Sequence, residues 1–346
     1  NHSILISNSA QSKKWGLALG GQFTESMAWD EDDNGVAESP FRMNSSALIK
    51  MRLLPNNQND ISLRLGYSAL TILGGASNAI KPSGVRNIPA QENDFEDGNI
   101  EKDFKGDPNR ITDWIDLKRY ESTIHWTRYL GQNTTLEWNT GYARQEQRAI
   151  YQHGFDYANN DNLFVTDLSL QMVLKENHLL KSGFFHKLQR LRSASEILFE
   201  QKNIPADHFD HSSYAAYMNY TFIASDKFEI DLALRFDQIR VKWLELTNEV
   251  NETVVAPRFQ LRHDLSEHLS QRLSYGLGYR APLTFFESQH GNEENGYKLD
   301  IEELEKAHSV VYSLSYNTPK YYITYGVHYT HLQNMAFGFE SQGSPI

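Results

Sequence analysis

Three short stretches bring together side chains that could do chemistry. The first is Asp30-Glu31-Asp32-Asp33-Asn34-Gly35, which carries the alternating oxygens of a calcium loop. Asp30, Asp32 and Asn34 would converge on one cation while Gly35 permits the sharp turn. Val36 could lend its carbonyl and Glu38 a later ligand. The twelfth position is Phe41, so the bidentate glutamate of an EF-hand is missing, and a solvated acidic loop explains the same composition. A weak external Ca2+ site is the chemistry expected if the loop does more than turn. The second stretch, Asp207-His208-Phe209-Asp210-His211, offers two imidazoles and two carboxylates in one expected outer loop. His208 and His211 could bind a transition metal or ligate haem iron, although a polar loop is the plainer account of a three-residue spacing. The third, Gly276-Leu277-Gly278-Tyr279-Arg280-Ala281, formally satisfies G-x-G-x-x-A. That fingerprint binds pyrophosphate only where a helix begins and offers its amides. Pro282 follows, and the glycines alternate with Leu277 and Tyr279 as along a strand, so nucleotide binding is not expected.

Covalent catalysis has little support beside these. G-x-S-x-G and H-E-x-x-H are both absent, and a chain without cysteine has no thiolate nucleophile and no thiolate metal site. The 13 histidines and many aspartates scattered along the chain produce chance His–Asp pairs. No catalytic residue is assigned, and the expectation is that the protein is not an enzyme.

The elements that must position these groups are written in alternation. Phe228, Ile230, Leu232, Leu234 and Phe236 share one face, while Glu229, Asp231, Ala233, Arg235 and Asp237 share the other. Successive side chains of a strand point to opposite faces, so this segment has one apolar wall and one charged wall. Tyr214, Ala216, Met218, Tyr220 and Phe222 alternate in the same way with Ala215, Tyr217, Asn219 and Thr221. The pattern returns at Leu136–Tyr142, Ser309–Tyr316 and Ile323–Thr330, and only a turn or two near Ile301 to Glu305 hints at helix. Tight polar turns fall near 11–13, 56–60, 131–133, 175–177, 225–227, 266–268 and 318–320. Longer connections fall between them at 30–40, 74–109, 153–162, 194–210, 245–252 and 281–305. Short turns on one rim and long loops on the other predict an all-β, antiparallel transmembrane β-barrel of about fourteen strands, short on the periplasmic side and long outside. A soluble sandwich has strands of ~5–6 residues and no such segregation of its loops. Trp15, Trp114, Trp126, Trp243, Tyr275 and Tyr279 fall near strand ends and suit interfacial girdles.

Bulk properties narrow the partners. A net charge of −11 with no basic stripe argues against nucleic acid. No run approaches the ~18 apolar residues of a membrane helix, which excludes a helical inner-membrane bundle but not a barrel. The absence of cysteine fits passage through an oxidising periplasm, though weakly. No secretion signal opens the sequence at Asn1, so the chain is expected to begin inside a longer precursor or a processed protein.

The stretch Ala256 to Tyr316 carries a family resemblance. Pro257-Arg258 opens a strand, a tight turn follows, and the next strand ends Gly278-x-Arg280-Ala281-Pro282. An outer segment with Phe285, Phe286 and Glu287 leads to Leu304-Glu305 and another strand. This order resembles the late barrel of TonB-dependent receptors. Thr24 to Gly75, with its acidic loop ending Glu38-Ser39-Pro40 and a Gly-Gly exit, looks like an earlier stretch of the same barrel. The resemblance implies a bacterial outer-membrane location and a barrel of about 22 strands. It also implies a plug domain, and through the plug a contact with the TonB energy-transducing protein. Residues 1–346 would then be a partial barrel domain, roughly two-thirds of the whole, with the plug and the terminal strands absent.

On that reading Tyr279, Arg280, Phe285, Phe286, Glu287 and His290 are the ligand-contact candidates, because aromatic and mixed polar groups at a lumen mouth can grip a bulky solute. Arg280 could equally hold a structural ion pair. The expected function is energised uptake of a scarce large solute such as a metal chelate, siderophore or cofactor, with outer-membrane lipid, the plug and TonB as partners. No cofactor is required beyond a possible Ca2+ in an outer loop. A passive porin-like channel and a surface adhesin or protease barrel are the alternatives.

Overall fold

The computed structural model describes residues 2–29, 31, 36–76, 112–151, 155–195, 208–244, 249–281, 283 and 302–335. Among these, fourteen strands form one antiparallel sheet in which every strand pairs with its neighbours in sequence. They are β1 (His2–Gln11), β2 (Trp15–Ser26), β3 (Val36–Asn56), β4 (Asn59–Ala76), β5 (Thr112–Tyr129), β6 (Thr134–Tyr151) and β7 (Phe155–Lys175). There follow β8 (His178–Ser195), β9 (Phe209–Ser225), β10 (Phe228–Trp243), β11 (Glu249–Asp264), β12 (Leu269–Arg280), β13 (Glu305–Asn317) and β14 (Tyr322–Gln333). The seven tight turns all fall where the polar clusters predict them. Gly131 turns between β5 and β6 at φ 103°, a left-handed conformation that L side chains rarely adopt.

The register carries each strand's alternation across the sheet. Leu232 lies opposite Phe259 on β11 and Tyr220 on β9, and Tyr220 lies opposite Leu180 on β8. Phe184, Tyr214, Met218, Leu232 and Phe236 are all exposed on this wall, Phe184 by 70%. A continuous exposed apolar wall of this extent is a lipid-facing surface. On the other wall Asp231 lies opposite Thr221 and Gln260, and Asn139 lies opposite Asp167 and His125. That polar wall is the lumen side.

Near the long-loop rim the two walls exchange character. On β10 the lipid-side sequence Phe228, Ile230, Leu232, Leu234, Phe236 continues as Gln238, Arg240, Lys242, while the lumen side continues from Asp237 as Ile239, Val241, Trp243. The last three are 0–3% exposed and pack with Leu191, Phe209, Val250, Val254 and Leu304 in a buried cluster. The strand therefore outruns the bilayer at about Phe236, a crossing of nine residues, in keeping with ~9–11 for a tilted membrane strand.

Several expectations are corrected. The connection placed at 153–162 is mostly strand: β7 begins at Phe155 and pairs with both β6 and β8 from there. Residues 36–40 likewise belong to β3, and Phe209, Asp210 and His211 belong to β9 rather than to a loop. Above the bilayer the outward wall no longer faces lipid and can be polar, so these segments lose the apolar-out alternation yet still complete the backbone ladder. Residues 302–304 are not helical, and Glu305 opens β13. Trp243 is no girdle residue, because the exchange of the walls turns it into the buried lumen-side cluster.

Candidate functional site

The lumen-side wall of β7 to β12 lines a cavity of about 620 Å³ just below the rim cluster. Its polar groups come from alternate positions of neighbouring strands, which the register brings side by side. Tyr217 on β9 lies opposite both Arg235 on β10 and Gly183 on β8. The absence of a side chain at Gly183 leaves room for the ring, and the Tyr217 hydroxyl donates to both oxygens of Asp167 at 3.0 Å. Lys181 at the cavity edge donates to Glu137 at 3.1 Å. Arg235 stacks 4.8 Å above the Phe185 ring and donates to both oxygens of Asp237, at 2.7 and 2.8 Å. The Asp237 side chain is fully buried, and Ser213 donates to it at 3.4 Å. The Tyr279 hydroxyl joins Asp237 and Arg235. Asn219, Asp231, Arg258 and Gln260 complete the polar lining, and Leu277 and Tyr279 supply an apolar side.

Tyr279 and Leu277 reach this cavity through a departure from the regular sheet. Register continues from Leu273 and Tyr275, so both positions should face lipid. β11 and β12, however, stay paired only up to Arg258 opposite Gly276. Beyond that point Leu277 and Tyr279 pack against the lumen-side cluster, and Lys306 pairs with Glu252, which lies opposite Ile239 of that cluster. The Leu304 amide also donates to Glu252, at 3.2 Å, and Trp243 donates to the Leu283 carbonyl at 3.3 Å. The upper part of β12 and the start of β13 thus lean across the lumen side, and Leu277 and Tyr279 of β12 cover one side of the cavity. The arrangement can hold a solute by aromatic contact and by charges of both signs.

The sequence-predicted residues divide between places. Tyr279 lines the cavity; Arg280, on the neighbouring position of β12, points elsewhere and ion-pairs with Glu305, its register partner on β13. Phe285, Phe286, Glu287 and His290 lie outside the described residues, as do Asp30, Asp32 and Asn34 of the acidic loop. Glu38 is described and accepts the Glu31 amide at 2.8 Å. His208 lies just before β9, where its Nδ1 accepts the Ser193 amide at 3.1 Å. His211 is on the lumen-side wall of β9, above the apolar band and opposite Val241. Burial pushes its imidazole down to about 4, with Lys187 acting in the same direction, so it is neutral near pH 7. Among the described residues no group of three or more His, Asp or Glu gathers to hold a metal ion. The residues missed from sequence are Asp167, Tyr217, Arg235, Asp237 and Arg258. Their signal was present in the polar wall of each strand, but only the cross-strand register shows which of them meet.

A fourteen-strand antiparallel meander with an apolar outer wall, a charged inner wall and long connections on one rim is the wall of an outer-membrane β-barrel. The family model "TonB dependent receptor-like, beta-barrel" matches residues 15–345, and the chain belongs to that family. No curated protein sequence matches it significantly. Solved structures share the fold. The copper transporter OprC is 12% identical at a TM-score of 0.70, over 96% of this chain and 53% of that one. The FrpB iron transporter from Neisseria meningitidis is 13% identical at 0.71, over 96% and 52%. The ferric yersiniabactin uptake receptor FyuA from Yersinia pestis is 14% identical at 0.62, over 96% and 52%. The chain spans about half the length of these structures.

Proposed function

We propose that the chain forms part of a receptor that takes up a scarce, large solute such as a metal chelate across the outer membrane, driven through a plug domain by TonB. The observation that carries this reading is the lumen-side cavity, with charges of both signs and a tyrosine from the leaning β12, on a barrel of this family. Leu277 and Tyr279 cover one side of this open-sided cavity, which suits holding a solute and letting it go. Solved neighbours described as copper, iron and ferric-siderophore transporters support the substrate class. Tyr279 and Arg258 contact the solute in this reading, and Arg235 and Asp237 hold the wall that presents them.

The test is uptake of ferric and cupric chelates by cells carrying the full receptor, by metal mass spectrometry under metal limitation. Deleting the receptor gene should abolish uptake of one chelate, and so should deleting the energy transducer or collapsing the proton gradient. Arg258→Gln should weaken chelate binding to the cell surface by roughly tenfold, the loss of one charge-assisted hydrogen bond. Uptake that continues without the transducer would make the protein a passive channel and overturn the proposal.

A further inference from the structure

On the lipid-side wall, the strands β8 to β11 carry a row of charges directly above the apolar band. Arg190 lies opposite Asp210, Asp210 opposite Lys242, and Lys242 opposite Glu249. Arg192 and Arg240 stand two positions away on the same wall. Four cations share two carboxylates. Arg192 reaches Asp210 at 2.7 Å and Arg190 reaches it only at 4.0 Å, while Arg240 pairs with Glu249. Two positive charges are thus in excess here, in a chain whose net charge is −11. Arg190 and Arg240 keep 59% and 58% of their side-chain surface exposed even so.

The height of this row decides what it meets. The last apolar lipid-side residues below it are Leu188, Tyr214, Phe236 and Val255. Two residues of a strand tilted by ~40° rise roughly 5 Å, which places Arg190 about 5 Å above the band and Arg192 and Arg240 about 10 Å above it. The headgroup layer on one side of a bilayer is about 5–8 Å thick, and arginine stems bend back along an apolar surface to reach it. Guanidinium forks match phosphate oxygens bidentately. A cation excess at headgroup depth, on a wall whose lower part is immersed in lipid, is complementary to lipid phosphate.

We propose that Arg190, Arg192 and Arg240 bind the phosphate groups of an anionic lipid of the outer leaflet, fixing one lipid against the β8–β11 wall, while Lys242, two positions higher on β10, adds positive charge above them. The site is on the face opposite the cavity, so it stands whether or not the cavity binds a chelate.

The experiment uses the intact receptor, purified from outer membranes in mild detergent, with native mass spectrometry counting the phosphate-bearing lipid retained. Wild type should retain it and lose it as salt rises. Arg190→Gln or Arg240→Gln should each lower retention about fivefold, whereas Arg190→Lys and Arg240→Lys should lower it far less. Heat-modifiable gel mobility verifies that each variant is folded. A second measurement needs no variant: the melting temperature of wild type in nanodiscs of phosphatidylcholine alone and of phosphatidylcholine mixed with phosphatidylglycerol. A rise with phosphatidylglycerol supports the proposal. Equal melting in both, or equal lipid retention by wild type and the Gln variants, overturns it.

Discussion

Replacing Gly183 by alanine tests how the lumen-side wall is held. A Cβ at this position would lie 2.6 Å from the Tyr217 hydroxyl oxygen, 2.7 Å from its Cζ and 2.7 Å from the Leu168 carbonyl oxygen. The carbonyl is backbone on the paired strand β7 and cannot step aside without disturbing the ladder, so the Tyr217 ring must move as well. Its movement breaks the donation to Asp167. Overpacking costs about 1–3 kcal/mol and a hydrogen bond to a carboxylate about 1.5–3. Asp167 faces the lumen and can be resolvated, which places the total near the low end, about 3 kcal/mol. Gly66→Ala is the matched control. Its Cβ would meet only Glu121 side-chain atoms, at 2.7 and 2.9 Å, and these can swing away. The ion pair they would disturb, Arg64 to Glu121 at 3.0 Å, is half exposed, so the cost should stay below about 1 kcal/mol. Urea unfolding of the receptor in detergent micelles, followed by tryptophan fluorescence, measures both. Combining Gly183→Ala with Tyr217→Phe should cost less than the sum of the two, since the closest contact is the hydroxyl. A Gly183→Ala variant within about 0.5 kcal/mol of wild type, or a Gly66→Ala variant equally damaged, would refute the packing described for this wall.

Two further substitutions probe the other layers. Asp237→Asn should destabilise by about 2–3 kcal/mol, because Arg235 then loses the buried carboxylate that compensates it; adding Arg235→Leu should recover part of the loss in the same unfolding assay. Phe184→Arg, in the middle of the lipid-side row, should cost about 2–4 kcal/mol when refolding into bilayers is measured, while Phe184→Leu leaves refolding unchanged.

The fold was most legible where the two environments differ most. Between Phe228 and Phe236 lipid imposes one wall and water the other, and the alternation is plain to the eye. It fades at Phe155 to Asn162, where β7 rises above the bilayer and neither wall has to be apolar. Asn159, Asn160 and Asn162 there read as loop while they complete the ladder between β6 and β8. The inverted run Gln238, Ile239, Arg240, Val241, Lys242, Trp243 carried a signal of its own, and attending to the change of phase would have placed Trp243 inside. Of the site, Tyr279 was chosen from its motif. Its partners Asp237 and Arg235 were not, because meeting across strands depends on register and on the parting of β11 from β12, neither of which a single strand's pattern contains.

The exchange of the two walls at Phe236 also acts as a depth gauge. Sinking β10 by four residues would draw Arg240 to the level now held by Phe236, and raising it by as much would lift Phe236 and Leu234 into water. Slipping its pairing by one residue would turn Arg235 and Asp237 outward into hydrocarbon. A charge costs about 0–1 kcal/mol at the edge of the apolar band and about 2–4 at its middle, so the cost grows with the displacement, and it recurs on each neighbouring strand because the transition is shared across β8 to β11. Vertical position and strand alignment are therefore checked by the same few residues while the wall assembles.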